Sequence, residues 1–399
     1  MKTKITNISK LYTWNIHKNI LEIKNDKEIL IKDDIIIEIA DEVGNADKII
    51  DADNKIITPG FIDTHTHPIF IGNRANELIL RSEGKSYEQI SKLGGGILSS
   101  VNSLRSASFE KLYKSSYSNI LPFIYNGTTT LEAKSGYGLS IEDELKSLEV
   151  IKELNKNLKI DIVPTFLGAH DFPEEYKNDK EKYIDIICNE MIPEISEKKL
   201  ARFCDVFCEE GYFDYEQSKK ILNTAKKYNI LPRMHADEFK YSKASELAAE
   251  INALSADHLM AVNDDGIRAL SKSEVISTLL PGTTFFLNKN NYANGRNLID
   301  NGCRVAIATD FNPGTCTIKS LPFIMFLAIN KCGLKIEESF LAVTYNAAIS
   351  LGLENNLGLI KKGYKADIIC WDIESLDEIP YWFENNKISF ILKNGLMIN

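Results

Sequence analysis

The feature that most constrains this chain is an alternation running from residue 56 to about residue 350. Eight apolar, strand-like runs are separated there by amphipathic, helix-like stretches. The runs are IITPGFIDTH, TTTLEAK, IDIVPTFLGAH, FCDVFCEE, ILPRMHADE, ALSADHL, VISTLL and RVAIATD. Segments such as IEDELKSLEVIKELNK and YEQSKKILNTAKKYN lie between them. Strands that alternate with helices form a parallel sheet, because parallel neighbours need a crossover. Eight units over this span fit a (β/α)8 TIM-type barrel, whose usual size is about 250 residues before insertions. An open doubly wound sheet is the alternative. It would carry G-x-G-x-x-G after its first strand, and none occurs. The cluster Gly94–Gly96 in GGGILSS has no Lys-Ser/Thr after it and no strand before it. It reads as a loop before a helix rather than a phosphate cradle.

The flanks differ from the middle. Residues 1–57 read as short strands with tight turns, and residues 351–399 look similar, with ADIICWDI and ISFILKNGLMIN as strands. Neither piece has enough strands for its own core. They are expected to pair into one small β-sandwich domain beside a barrel of residues 58–350.

Composition removes several classes of function. The net charge of -9 provides no global positive field, so neither nucleic acid nor an anionic membrane is an expected partner. The N-terminus lacks an apolar signal core, and no stretch is apolar over a bilayer's thickness. Seven cysteines without a CxxC pair read as buried free thiols. The expectation is a cytoplasmic protein.

Five of the six histidines fall at the ends of the strand-like runs. His65 and His67 end the first, His170 the third, His235 the fifth and His258 the sixth, while Asp310 ends the eighth. His17 lies apart, in WNIHKN, and is expected at the surface. Catalytic groups of such barrels come from the C-terminal ends of several strands. Residues two apart on a strand point the same way, so His65 and His67 would enter the barrel mouth together. A lone H-x-H is a weak signal. Together with His235 and Asp310 it becomes a four-ligand set of the kind that binds Zn²⁺ or Fe. Asp310 or His258 is then placed to take a proton from water, and Glu238, in HADEF, to deliver one to a leaving nitrogen.

HTHPIFIGNRANEL, GGGILSSVNSLRSAS, GTTTLEAKSGYGL, PTFLGAHDFPEEY, MHADEF and ATDFNPGTCTIKSLP together carry a resemblance. The chain resembles the metal-dependent amidohydrolases and, among them, the imidazolonepropionase family of histidine degradation. The resemblance implies hydrolytic opening of 4-imidazolone-5-propanoate to N-formimidoyl-L-glutamate, with one divalent or trivalent metal, zinc or iron. It implies metal ligands at His65, His67, His235 and Asp310, and catalytic groups at Glu238, His258 and Asp310. Substrate contacts are implied at Arg74, Tyr137, His170, Glu238, Asn312, Gly314 and Thr315. The partner is a small anionic imidazolone, and relatives imply a homodimer. An arginine suits a propionate through a two-pronged hydrogen bond. Lys134 lies in EAKSGYG, the mononuclear family's own motif, and is read as structural or as a support behind the metal ligands. Other readings stay open: a nucleobase deaminase, a dihydroorotase-like cyclic amidase, or a binding protein with a structural metal.

Overall fold

The structure, a computed structural model, describes residues 1–85, 89–90 and 93–398. The N-terminal strands are β1 (Lys2–Asn15), β2 (Ile20–Lys32), β3 (Ile35–Ala40) and β4 (Lys48–Pro59). β1–β2 and β2–β3 are antiparallel hairpins, and β4 returns parallel to β1. The hairpin turns use Asn19 (φ 52°) and Asp33 (φ 57°), residue types that tolerate left-handed backbone.

The barrel follows. Its strands are β5 (Phe61–Asp63), β6 (Thr128–Lys134), β7 (Asp161–Ala169), β8 (Phe203–Cys208), the short β9 (Leu231–Pro232) with β10 (Met234–Ala236), β11 (Ser255–His258), β12 (Ile276–Leu279) and β13 (Val305–Ile307). Neighbours pair in parallel in the order β5-β6-β7-β8-β10-β11-β12-β13, and β9 pairs with β8. The seam between first and last strands closes beyond their ends. There Asp310 N donates to His65 O (3.0 Å) and His67 N to Phe311 O (2.8 Å). The Asp63 carboxylate reinforces this seam by accepting from Thr309 N (3.1 Å) and Thr309 Oγ1 (2.7 Å).

Each of the eight runs read from the sequence contributes to the barrel, although two are divided, the fifth into β9 and β10 at Arg233. The first run is divided at Gly60, because Ile56–Pro59 belongs to β4 in the other sheet. Gly60 passes so close to Thr129 that a Cβ would lie 2.3 Å from its Oγ1. The chain therefore changes sheets at a residue without a side chain.

Helices cover the barrel because their apolar faces repeat every three to four residues. Ile141–Asn157 starts at Ser140, whose side chain accepts from Asp143 N, and buries Leu145, Leu148, Ile151 and Leu154. Tyr215–Lys227 starts with a capping box between Asp214 and Gln217.

The C-terminal strands β14 (Ile368–Trp371), β15 (Ile388–Lys393) and β16 (Leu396–Met397) complete a seven-stranded sheet in the order β16-β15-β14-β4-β1-β2-β3. The sheet curls so that Ile36 N, on its far edge, reaches Tyr364 O just before β14 (2.9 Å). The curl encloses Ile5, Leu11, Ile29, Ile36, Ile57, Ile368 and Leu392 in a core of its own. Both termini thus build one body, as their strand count required. His17 is exposed. All seven cysteines are buried and free. Among the described residues no helix is long and apolar enough to cross a membrane.

Candidate active site

The C-terminal mouth of the barrel holds the histidines. Nε2 of His67 lies 3.2 Å from Nε2 of His65 and 3.4 Å from Nε2 of His235. Oδ1 of Asp310 is 3.6 Å from His65 Nε2 and 3.5 Å from His67 Nε2. Carboxylates behind two of the rings set their tautomers. His65 Nδ1 meets Asp257 Oδ2 at 2.7 Å, and His235 Nδ1 meets Asp205 Oδ1 at 3.1 Å. A carboxylate only accepts, so Nδ1 carries the proton and each Nε2 presents a lone pair to the centre. Burial, reinforced by nearby positive groups, holds His65 and His67 well below the usual histidine range, so both rings are neutral.

Several acceptors converging in a buried space repel one another unless a cation lies between them. Donors about 2.1 Å from a tetrahedral metal are about 3.4 Å apart, close to the four separations given above, in which His65, His67 and Asp310 converge and His235 joins through His67. The carboxylate–histidine pairs are the usual outer support of such a centre. The donor set fits a divalent metal ion.

Beneath the mouth the barrel interior is ionic where many barrels are packed with Val, Ile and Leu. Lys134 Nζ donates to Glu132 Oε1 and to Asp205 Oδ2, both at 2.7 Å, and all three side chains are fully buried. Burial opposes the charge on Lys134, but Asp205 and Glu132 more than offset it and raise its pKa. A carboxylated lysine would face two carboxylates here, so the ammonium is the form that fits. Arg233 spans Ser350 O (2.7 Å), Thr64 O (2.8 Å) and Asp257 Oδ2 (3.3 Å), which fixes the carboxylate behind His65.

A cleft opens over the cluster, lined by His67, Arg74, Tyr137, His170, His235, Glu238, His258, Asp310, Asn312 and Thr315. His170 Nδ1 donates to Gly136 O (2.8 Å), and burial pushes the ring down to about 3. His170 is therefore a neutral ring with an acceptor at Nε2. His258 Nε2 lies 3.5 Å from Glu238 Oε2. Burial and then the Asp310 charge push Glu238 well above the usual carboxylate range, while burial lifts Asp310 to about 6. His258 (φ 84°) and Asp310 (φ 51°) hold left-handed backbone that side chains rarely adopt, so both strand ends are strained where they carry polar groups.

Two implied substrate contacts have other partners in this structure. Asn312 Oδ1 accepts from Gly314 N (2.9 Å) and Thr315 N (2.7 Å), and its Nδ2 donates to Asp310 O (2.8 Å), so it organises its own loop. Gly314 sits against the guanidinium of Arg74, where a Cβ would lie 2.2 Å from Cζ. His65 does not line the cavity and stands among the converging donors.

Sequence reading passed over several residues of the site. Phe207, Phe239 and Ile97 complete the cavity wall. Asp205, Asp257, Glu132 and Arg233 form the ionic layer, and Glu77 and Glu144 hold Arg74 and the Tyr137 loop. A signal existed for Asp205, a lone charge in the middle of the apolar run FCDVFC. For Glu77 and Glu144 none did, because an acidic residue in a first helical turn is ordinary.

Comparison with known proteins gives this geometry its context. Residues 56–398 match the amidohydrolase family. An imidazolonepropionase from Thermoanaerobacter pseudethanolicus is 45% identical over 98% of this chain and 96% of its own length. The chain belongs to the imidazolonepropionases of the amidohydrolase family. A second member, from Kosmotoga olearia, is 44% identical over 95% of this chain and 92% of its own. Among solved structures, an adenosine deaminase from Xanthomonas campestris with bound zinc superposes with a TM-score of 0.74 at 12% identity, covering 99% of this chain and 92% of that one. A Xaa-Pro dipeptidase gives 0.74 at 15% identity with full coverage of both. At such identities they share the barrel with this family member and no more.

Proposed function

We infer that the chain is an imidazolonepropionase, opening 4-imidazolone-5-propanoate with water at its cyclic amide to give N-formimidoyl-L-glutamate. The observation that carries this is near-full-length identity of 45% to a protein of that name. The polar cavity over a four-donor cluster supports it. In this reading His65, His67, His235 and Asp310 hold one metal ion, zinc or iron, since nitrogen and oxygen donors suit both. When bound, the metal polarises the amide carbonyl and lowers the pKa of water towards neutrality.

The remaining work falls to the chain's own groups. Arg74 holds the propionate, and Tyr137 covers the planar ring. His170 is neutral and accepts at Nε2, so it suits a ring N–H of the substrate. Water adds to the carbonyl carbon as the ring C–N bond breaks, and Asp310 or His258 takes the proton that water loses. Glu238, kept protonated by burial, gives a proton to the departing nitrogen at its carboxyl oxygen. The second proton of water leaves with the new carboxyl group on ionisation, so the atoms balance. The same reading takes the enzyme to be cytoplasmic and a homodimer, which fractionation and light scattering test.

The direct test follows loss of imidazolone absorbance with purified protein before and after chelation, with metal analysis alongside. Turnover that stops on chelation and returns with zinc or iron supports the reading. Absence of turnover, or turnover indifferent to chelation, overturns it.

A further inference from the structure

Arg74 stands at the start of the helix Ala75–Ser82, one turn before Glu77. Glu77 Oε1 accepts from Arg74 Nε at 2.7 Å and Oε2 from Arg74 Nη2 at 2.8 Å. Oε1 also accepts from Gly96 N at 2.8 Å, which ties the pair to the loop that begins the helix Ile97–Arg105. Arg74 is 5% exposed and Glu77 1%. A buried ion pair is a weak source of stability, because desolvation cancels much of the attraction. What a bidentate pair does provide is direction, since the guanidinium plane is locked to the carboxylate plane.

A guanidinium has two edges that can meet a carboxylate side by side. Glu77 occupies the Nε/Nη2 edge. The second edge is the one formed by Nη1 and Nη2. Gly314, in the loop after β13, lies over the face of the guanidinium, where a Cβ would be 2.2 Å from Cζ and from Nη1 and 2.6 Å from Nη2. That loop also brings Thr315 into the cavity wall beside Arg74.

We propose that Glu77 is a positioning residue for substrate selection. It fixes the plane of Arg74 so that the Nη1/Nη2 edge meets the substrate's carboxylate, and Gly314 leaves the room over the guanidinium face that this orientation needs. This rests on the function proposed above. It assigns the recognition of one anionic group to a buried acid that does not touch the substrate.

The test compares imidazolone propionate with its neutral propionamide analogue. Glu77→Gln keeps the side-chain shape and the bond to Gly96 but turns an amide N–H towards one Arg74 nitrogen. It is expected to raise KM for the carboxylate substrate about tenfold or more, leave kcat within about threefold, and leave KM for the amide analogue and the metal content unchanged. Gly314→Ala, which displaces Arg74 without touching Glu77, is expected to give the same split and guards against a misfolded first variant. A KM for the carboxylate substrate within about twofold of wild type in both variants overturns the inference. So does an equal rise for both compounds, the mark of a general structural role. If the wild-type chain opens neither compound, the functional reading fails and this inference with it. Turnover by the wild type with KM indifferent to Glu77→Gln and Gly314→Ala defeats the inference alone.

Discussion

At the scale of single residues, the chemistry of the mouth comes from groups that are individually ordinary and collectively constrained. His235 is an imidazole whose useful lone pair is aimed by Asp205, and Asp205 is itself anchored by Lys134. Although burial opposes its charge, the His235 and Lys134 partners hold Asp205 well below the usual carboxylate range, so it stays an acceptor. Replacing Asp205 with Asn removes that charge while keeping the shape. It is expected to weaken metal binding by about 10–100-fold, read by competition with a chromogenic chelator. Glu238 carries a pH prediction. Its pKa is raised, so the acid form that can donate a proton persists towards neutral pH and disappears as pH rises. kcat/KM should therefore fall on the alkaline side. Glu238→Gln should lower kcat by about 10²–10⁴-fold, and its residual rate should lack that alkaline limb in a pH–rate profile.

At the scale of elements, loops carry the pocket and buried acids shape the loops. The turn Ser135–Gly138 after β6 presents Tyr137, and Glu144, on the helix that follows, accepts from the backbone N–H of Gly136, Gly138 and Leu139. Arg105 donates to the carbonyls of Gly138 and Leu139 from the other side. Gly136 has a φ of 102°, and a Cβ there would press on His170 Nδ1 at 3.1 Å, so the turn depends on a glycine. Glu144→Ala leaves three buried N–H groups without their acceptor, each worth about 1–3 kcal/mol. The expected outcome is a lower melting temperature and a raised KM with unchanged metal content, measured by calorimetry, steady-state kinetics and metal analysis.

The sequence was legible at this scale wherever a pattern is local. The eight apolar runs, the i, i+2 histidines and the capped helices follow from side-chain periodicity, which is a property of neighbours in the chain. The first run was read across Gly60 as one strand. Apolar content does not distinguish a strand of one sheet from the end of another, and the close approach to Thr129 that divides it involves a residue almost seventy positions away. Glu77 and Glu144 escaped notice for the same reason. Each looks like a common helix-start acid until the loop it holds is placed beside it.

At the scale of the whole molecule, the curled terminal sheet and the barrel are joined by a charge cluster in which Lys393 and Asp367 are buried and Asp161 is half-buried. Lys393 Nζ donates to Asp367 Oδ2 at 2.6 Å within the sheet and to Asp161 Oδ2 at 2.7 Å at the start of β7. Asp367 is almost fully buried, so burial raises its pKa, and Lys393 is the charge that opposes this. Lys393→Ala leaves that carboxylate uncompensated. It is expected to lower stability by about 3–5 kcal/mol, read as a shifted midpoint in chemical denaturation, with the kinetics of the remaining folded protein little changed.

The residues alone determined the alternation of strands and helices, the placement of polar groups at strand ends, the pairing of the termini and, through a dense set of motifs, the family. These are matters of order along the chain. Only the tertiary structure decided which donors stand within about 3.6 Å of one another, which carboxylates lie behind them, and which edge of Arg74 is already taken. Such facts depend on closing a barrel across some 245 residues between His65 and Asp310, and on how far burial shifts each charge. Neither distance nor burial is written in the order of residues.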